Sequence, residues 1–115
     1  MSVEQYPDVV MPDCPVEKIL EGQKALVTGG ASGIGRAVAI ALGKAGADVA
    51  VNYVRGEEQA NEVAAEIGKC GSRAFAHQAD VSSEEQVKNM FQKMFQEFGT
   101  IDILINNAGV NVRGP

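Results

Sequence analysis

Residues 24–35 read Lys24-Ala-Leu-Val-Thr-Gly-Gly-Ala-Ser-Gly-Ile-Gly35, a short apolar run that ends in closely spaced glycines. The apolar run is typical of a buried strand. The residues that follow, Gly33 to Lys44, carry apolar side chains at helical spacing and predict a helix, which Gly46 ends. Free backbone N–H groups and the positive end of the helix dipole face such a turn. A turn of this kind between a strand and a helix therefore predicts a phosphate-binding loop.

The rest of the chain continues the alternation of strands and helices. The apolar patterns predict further strands at Asp48–Tyr53, Arg73–Gln78 and Ile101–Ile105, and further helices at Glu57–Lys69 and from Ser83 to about Phe98. Short connections between alternating strands and helices indicate parallel strands with helices on both faces. The fold class predicted from this order is α/β, a Rossmann-type doubly wound parallel sheet truncated after the fourth strand.

Length and charge limit the domain organisation and the partners. The 115 residues allow one compact domain, in which residues 1–22 form a proline-containing lead and residues 23–115 a partial dinucleotide-binding domain. A net charge of −5 argues against nucleic-acid binding, which needs a basic face. No apolar run is long enough to cross a membrane, and the first twenty residues lack the pattern of a secretory signal. We therefore expect no nucleic-acid or membrane partner and a cytoplasmic protein.

The cysteines and the histidine suggest no catalytic or metal site. Cys14 and Cys70 are the only cysteines, and two thiols in a chain of this size do not make a disulfide framework, so both are interpreted as reduced and inert. His77 is the only histidine and has no cluster of acids or cysteines at ligand spacing. The sequence predicts no metal ligand.

Three motifs in order resemble those of the short-chain dehydrogenase/reductase family. They are the Gly-x-x-x-Gly-x-Gly pattern that follows Thr28, the pair Asp80-Val81, and Asn106-Asn-Ala-Gly109. The resemblance extends from about Leu20 to Pro115, and within the family the chain looks most like glucose 1-dehydrogenases and 3-oxoacyl-carrier-protein reductases. It implies the cofactor-binding half of an oxidoreductase that transfers hydride between a nicotinamide dinucleotide and an alcohol or carbonyl.

The resemblance also implies roles for individual residues. The glycine loop would hold the cofactor phosphates through Gly29, Ser32, Gly33, Ile34 and Gly35. Asp80 and Val81 would contact the adenine end, and the segment Asn107, Ala108 and Gly109 would lie along the ribose and nicotinamide. Thr28 would connect the glycine loop to the neighbouring strand. Two alternatives stay open: Asp80 as an acid that only flanks a helix, and Asn106 as a purely structural residue.

The choice between NADP and NAD depends on the end of the second predicted strand, Val51-Asn-Tyr-Val-Arg55. An acid there would accept from the ribose 2′-OH of NAD, but the segment contains none. Arg55 could instead form a charge-assisted bond with the 2′-phosphate of NADP, so we expect NADP. NAD or dual use stays open because Ser32 stands where many NADP-dependent members have Arg or Lys. Arg55 as a solvated loop charge is the alternative.

The family's catalytic residues are not found in these 115 residues. The family uses a Ser, a Tyr and a Lys four residues after that Tyr, all beyond the Asn-Asn-Ala-Gly motif. Tyr6 and Tyr53 are the only tyrosines, and neither is followed by Lys at the fourth position. We therefore expect no activity from this chain alone, and a substrate or an oligomer interface only where a further half is supplied. The alternatives are an inert dinucleotide-binding module and a non-functional truncated product.

Overall fold

The computed structural model describes residues 18–107, which form a parallel sheet of four strands in the order β3-β2-β1-β4. The elements are β1 (Lys24–Thr28), α1 (Gly33–Lys44), β2 (Asp48–Tyr53), α2 (Glu57–Lys69), β3 (Ala74–Gln78), α3 (Glu84–Phe98) and β4 (Ile103–Asn106). This is the predicted α/β fold of Rossmann type. The division of the chain at residue 22 remains a prediction.

Each face of the sheet is covered by its own helices, because successive strand residues point to opposite faces. On one face, strand residues such as Val27 and Val51 pack against α1 and α2, where Val63 and Ile67 are fully buried. On the other face, Leu26 and Ala50 pack against α3 through three apolar side chains, Met90, Met94 and Phe98. Met90, Met94 and Phe98, spaced four residues apart on α3, therefore belong to the core.

Strand β4 begins two residues later than predicted. The N–H of Asp102 donates to the carbonyl oxygen of Lys24 at 2.8 Å, and its carboxylate accepts from the backbone N–H of Lys24, also at 2.8 Å. A side chain thus takes the donor that a regular ladder would use, so parallel pairing with β1 starts only at Ile103. The strand then continues to Asn106, which pairs with Thr28.

A charged cluster joins the amino ends of β1, β2 and β3. The carboxylate of Asp48 accepts from Nζ of Lys24 at 2.8 Å, from the N–H of Arg73 at 2.8 Å and from Nε of Arg73 at 3.4 Å. Burial alone would raise the pKa of Asp48, but the Lys24 and Arg73 hydrogen bonds and charges outweigh it. The pKa of Asp48 therefore lies below its ordinary value of 3.8.

Cys70, directly after α2, is disulfide-bonded. The interpretation of Cys70 as a reduced thiol is therefore wrong, and Cys14 lies outside the described residues. Disulfides are rare in cytosolic proteins, so this bond does not support the expected cytoplasmic location. Within residues 18–107, no helix has the length and apolar character needed to cross a bilayer.

Candidate functional site

The glycine loop lies at the carboxyl ends of the strands, where the sheet changes direction. The chain runs from β1 outward through β2 to β3, and then returns to place β4 on the other side of β1. Ligands of open α/β sheets bind in the crevice at such a switch point. The loop between β1 and α1 therefore occupies the position expected for a ligand site.

The amino end of α1 carries an uncompensated positive dipole. Its N-cap, Ser32, makes no side-chain capping bond, and the first turn contains no acid. Helices α2 and α3, in contrast, each have two glutamates in their first turn. Because acids at this position neutralise the helix dipole, α1 is the helix of the described chain best suited to receive a phosphate group.

Three glycines of the loop are needed for different physical reasons. Gly29 and Gly33 have φ values of +65° and +59°, which side-chain-bearing residues rarely adopt. Gly35 is buried, and a Cβ there would overlap the carbonyl oxygen of Gly29. The backbone of α1 can therefore approach the turn closely only because residue 35 has no side chain. The side chain of Ile34, which lies between Gly33 and Gly35 in the sequence, is 74% exposed to solvent.

Two asparagine side chains hold the Gly29 residue from opposite sides. Its N–H donates to Oδ1 of Asn52 at 3.2 Å, and its carbonyl oxygen accepts from Nδ2 of Asn107 at 3.1 Å. Thr28 Oγ1 lies 3.3 Å from both the carbonyl oxygen of Ile105 and Oδ1 of Asn106, so Thr28 connects the loop to β4 as expected. The structure thus brings Asn107 to the glycine loop.

Asn52 lies in the segment at the end of the second strand that the sequence places at the ligand site, but the sequence predicts no role for its side chain. It is fully buried, and both its side chain and its backbone carbonyl bond to the glycine loop. The available signal was a single amide within the apolar run Asp48-Val-Ala-Val-Asn-Tyr53.

Arg55 and Ser32 line one cavity of about 330 Å³ between the glycine loop and α2. The remaining lining residues are Ala31, Gly56 and Gln59, so none of the described residues brings a carboxylate into the cavity. Arg55 is exposed, and within residues 18–107 it forms no ion pair. An unpaired guanidinium beside a hydroxyl can bind an anionic group in this cavity.

Asp80 and Val81 follow β3, the edge strand that lies beyond β2. The carboxylate of Asp80 accepts from the hydroxyl of Ser82 at 2.7 Å and from its N–H at 2.9 Å, and these bonds lower the pKa of Asp80. The N–H of Asp80 donates to the side chain of Gln86 in α3 at 2.8 Å. These contacts fit the alternative of a helix-flanking acid, and contact with adenine remains a prediction. Val81 lines a second, mainly apolar cavity of about 200 Å³.

Ala108 and Gly109, expected to lie along the ribose and nicotinamide, are outside the described residues, so their roles remain predictions.

The metal ligands and the histidine are a separate question. In the part of the chain that is described, no group of three potential metal ligands occurs. Burial, and then the charge of Lys93, lowers the pKa of His77 from its ordinary value of 6.5.

Comparison with known proteins agrees with this geometry. The family model described as short chain dehydrogenase matches residues 23–115. The chain belongs to the short-chain dehydrogenase family. A hydroxynaphthalene reductase-like protein Arp2 of Metarhizium guizhouense is 47% identical over 96 residues, which are 84% of this chain and 36% of that protein. The chain thus spans little more than a third of this relative.

Two other family members are informative, one because its length is similar to that of this chain and one because its structure contains NADP. The short-chain dehydrogenase/reductase homolog YusS of Bacillus subtilis is 51% identical over 91 residues, which are 79% of this chain and 84% of that protein. A solved short-chain dehydrogenase of Burkholderia cenocepacia, in complex with NADP, is 46% identical with a TM-score of 0.78. That match covers 84% of this chain and 39% of the Burkholderia chain.

Proposed function

We propose that this short-chain dehydrogenase chain binds NADP and forms the cofactor-binding portion of an oxidoreductase that transfers hydride between NADP and an alcohol or carbonyl. The observation that carries the proposal is the cavity shared by Ser32 and Arg55: among residues 18–107, the Arg55 guanidinium has no ion-pair partner and no carboxylate lines the cavity. The 2′-phosphate of NADP fits a cationic lining, whereas a site for the ribose 2′-OH of NAD usually has an acid. The NADP complex of the Burkholderia relative supports the same cofactor.

The residues proposed to hold NADP are grouped around the amino end of α1. That helix end lacks acids, and Gly35 leaves room for the turn, so the loop fits a pyrophosphate. When bound, the nicotinamide would supply the hydride-transfer chemistry, and the described residues would bind and orient the dinucleotide. The full proposed set is Gly29, Ser32, Gly33, Ile34, Gly35, Arg55, Asp80, Val81, Asn107, Ala108 and Gly109.

The experiment is a titration of the protein with NADPH and with NADH, for the native sequence and for Arg55→Ala. Loss of the charge-assisted bond should weaken NADPH binding about tenfold or more, because such bonds contribute about 1.5–3 kcal/mol. NADH binding should change by less than about threefold, since NADH has no 2′-phosphate. Lys69→Ala is the matched control: it removes one exposed positive charge at the far end of α2. Equal losses for NADPH and NADH in Arg55→Ala would contradict the assignment of NADP.

Catalysis is proposed to need residues outside these 115. Without the Tyr and Lys, the chain lacks the proton transfer that accompanies hydride transfer in this family. We expect no turnover of NADPH by the isolated chain above a Gly33→Asp variant, and measurable turnover would contradict this. The substrate, the oligomer interface and the cytoplasmic location likewise remain proposals for the whole protein.

A second candidate is a catalytically inert dinucleotide-binding module. One observation favours it: this chain covers 84% of the Bacillus relative, so a family member of similar length occurs elsewhere. The intact mass of the protein from its native source separates the two candidates. A mass near 12.1 kDa together with NADPH binding supports the inert module, whereas the same mass without binding supports a non-functional product. A mass about twice as large supports the oxidoreductase.

A further inference from the structure

Asn52 lies at the centre of the region between the phosphate loop and the adenine segment. It is fully buried near the end of β2, the strand that lies between β1 and β3. Neither its burial nor its position in a strand requires an amide, since Val49, Ala50 and Val51 fill the preceding positions with apolar side chains. The amide must therefore be explained by its hydrogen bonds.

The side chain of Asn52 connects two segments that are distant in sequence. Oδ1 accepts from the N–H of Gly29 at 3.2 Å, whereas Nδ2 donates to the carbonyl oxygens of Ala79 at 3.0 Å and His77 at 3.4 Å. The backbone carbonyl of the same residue accepts from Gly30 at 2.9 Å. A donor on one side and carbonyl oxygens on the other permit only one orientation of the amide.

Through these hydrogen bonds, the Asn52 side chain connects the two segments proposed to bind the two parts of the ligand. Gly29 begins the loop proposed to hold the pyrophosphate, and Ala79 immediately precedes Asp80, proposed to contact adenine. A dinucleotide that spans both segments binds well only when their separation is fixed in advance, because ordering them on binding reduces the affinity.

We propose that Asn52 is a positioning residue that fixes the glycine loop at a set distance from the Ala79-Asp80 segment, so that NADP meets both at once. This inference rests on the proposed NADP binding. It assigns Asn52 no contact with the cofactor. Its effect on binding is transmitted through Gly29 and Ala79.

The test compares a ligand that spans both segments with ligands that meet only one. In Asn52→Leu, NADP affinity should fall about tenfold or more, whereas the affinities for inorganic pyrophosphate and for adenosine should each change by less than about threefold. Ser72→Ala is the matched control: it removes another buried side-chain bond, from Ser72 Oγ to the carbonyl oxygen of Gly43 at 2.9 Å. It should leave all three affinities unchanged once the folded fraction, measured by urea unfolding, is taken into account.

A purely structural role predicts a different pattern. An equal loss of affinity for all three ligands in Asn52→Leu, or an unchanged affinity for NADP, would overturn the proposal. The variant Asn52→Asp gives a second readout, because the introduced carboxyl group can donate to Ala79 only when protonated. The NADP affinity of this variant, relative to that of the native protein, should recover as the pH is lowered. Parallel pH profiles of NADP affinity for the two proteins would count against the proposed positioning role of Asn52.

A measurement without ligand separates this inference from the proposed function. If the native protein binds none of the three ligands, the proposed function fails. Asn52 is then judged by hydrogen exchange of the Gly29 amide, which its Oδ1 protects. Exchange about tenfold faster in Asn52→Leu but not in Ser72→Ala would support the positioning of the loop. An unchanged rate would refute it.

Discussion

Substituting Gly35 by alanine tests the close approach of α1 to the glycine loop. The added Cβ would overlap the Gly29 carbonyl oxygen and lie 2.8 Å from Nδ2 of Asn107. Neither neighbour can move freely, because Asn107 and Asn52 hydrogen-bond to opposite sides of Gly29. The loop must therefore shift as a whole, or α1 must move away from it.

The expected cost combines two losses and one gain. Overpacking against fixed backbone costs about 1–3 kcal/mol, and weakening the two bonds to Gly29 costs up to about 1 kcal/mol each. The higher helix propensity of alanine returns about 1 kcal/mol. These contributions sum to a loss of about 0–4 kcal/mol, so the free energy of unfolding of Gly35→Ala should be lower by about 2 kcal/mol, which corresponds to a fall in Tm of about 8–16 °C for a domain of this size.

The matched control is Gly68→Ala in α2. Residue 68 is also a helical glycine, but a Cβ there meets nothing within 4 Å, so the variant should gain up to about 1 kcal/mol. Urea unfolding followed by circular dichroism measures both free energies, and a titration with NADPH measures binding by the folded protein. The reasoning is refuted if Gly35→Ala is as stable as Gly68→Ala and binds NADPH with native affinity.

Two other variants test the charged cluster and the start of α3. Asp48→Asn removes the negative charge and the Oδ2 acceptor shared by Lys24 Nζ and Arg73 Nε, and should destabilise the protein by about 1–2 kcal/mol at neutral pH. Because the folded-state pKa of Asp48 is lowered, the native advantage is full above about pH 3.8 and disappears as the pH falls through the folded-state pKa. Urea midpoints between pH 7 and pH 3 measure this, and parallel profiles would contradict it. Ser83→Ala removes the N-cap bond from Gln86 and should cost about 1 kcal/mol; an unchanged urea midpoint would show that the cap contributes nothing.

The alternation of strands and helices could be predicted because each element carries a local pattern and ends at a turn residue. The bounds of β1, α1, β2 and α2 agree with the sequence-based predictions for this reason. Strand β4 could not be placed from its apolar run alone. The run Ile101-Asp-Ile-Leu-Ile105 looks continuous, yet Asp102 takes the Lys24 donor and delays the pairing. That effect depends on a residue 78 positions away.

The sequence predicted those residues of the candidate site whose role depends on backbone conformation or on charge. Gly29 and Gly35 were singled out by spacing, and the structure gives each a conformational or steric reason. Arg55 and Ser32 both bear on the choice between NADP and NAD in the sequence, and the fold brings them to one cavity. The contacts of the Asn52 side chain could not be predicted, because His77 and Ala79 come beside it only through the parallel register of β2 and β3.

The hydrogen bonds of Asn52 and Asn107 to Gly29 also determine the order in which the site can form during folding. Asn52 is 23 residues from Gly29, whereas Asn107 is 78 residues away. Closing so long a loop is among the slower events of folding, because its entropy is lost before its contacts form. A nascent chain that has emerged only through α3 contains the whole glycine loop but not the amide that holds its carbonyl oxygen. The phosphate loop thus reaches its final shape only after the last described strand, β4, has joined the sheet.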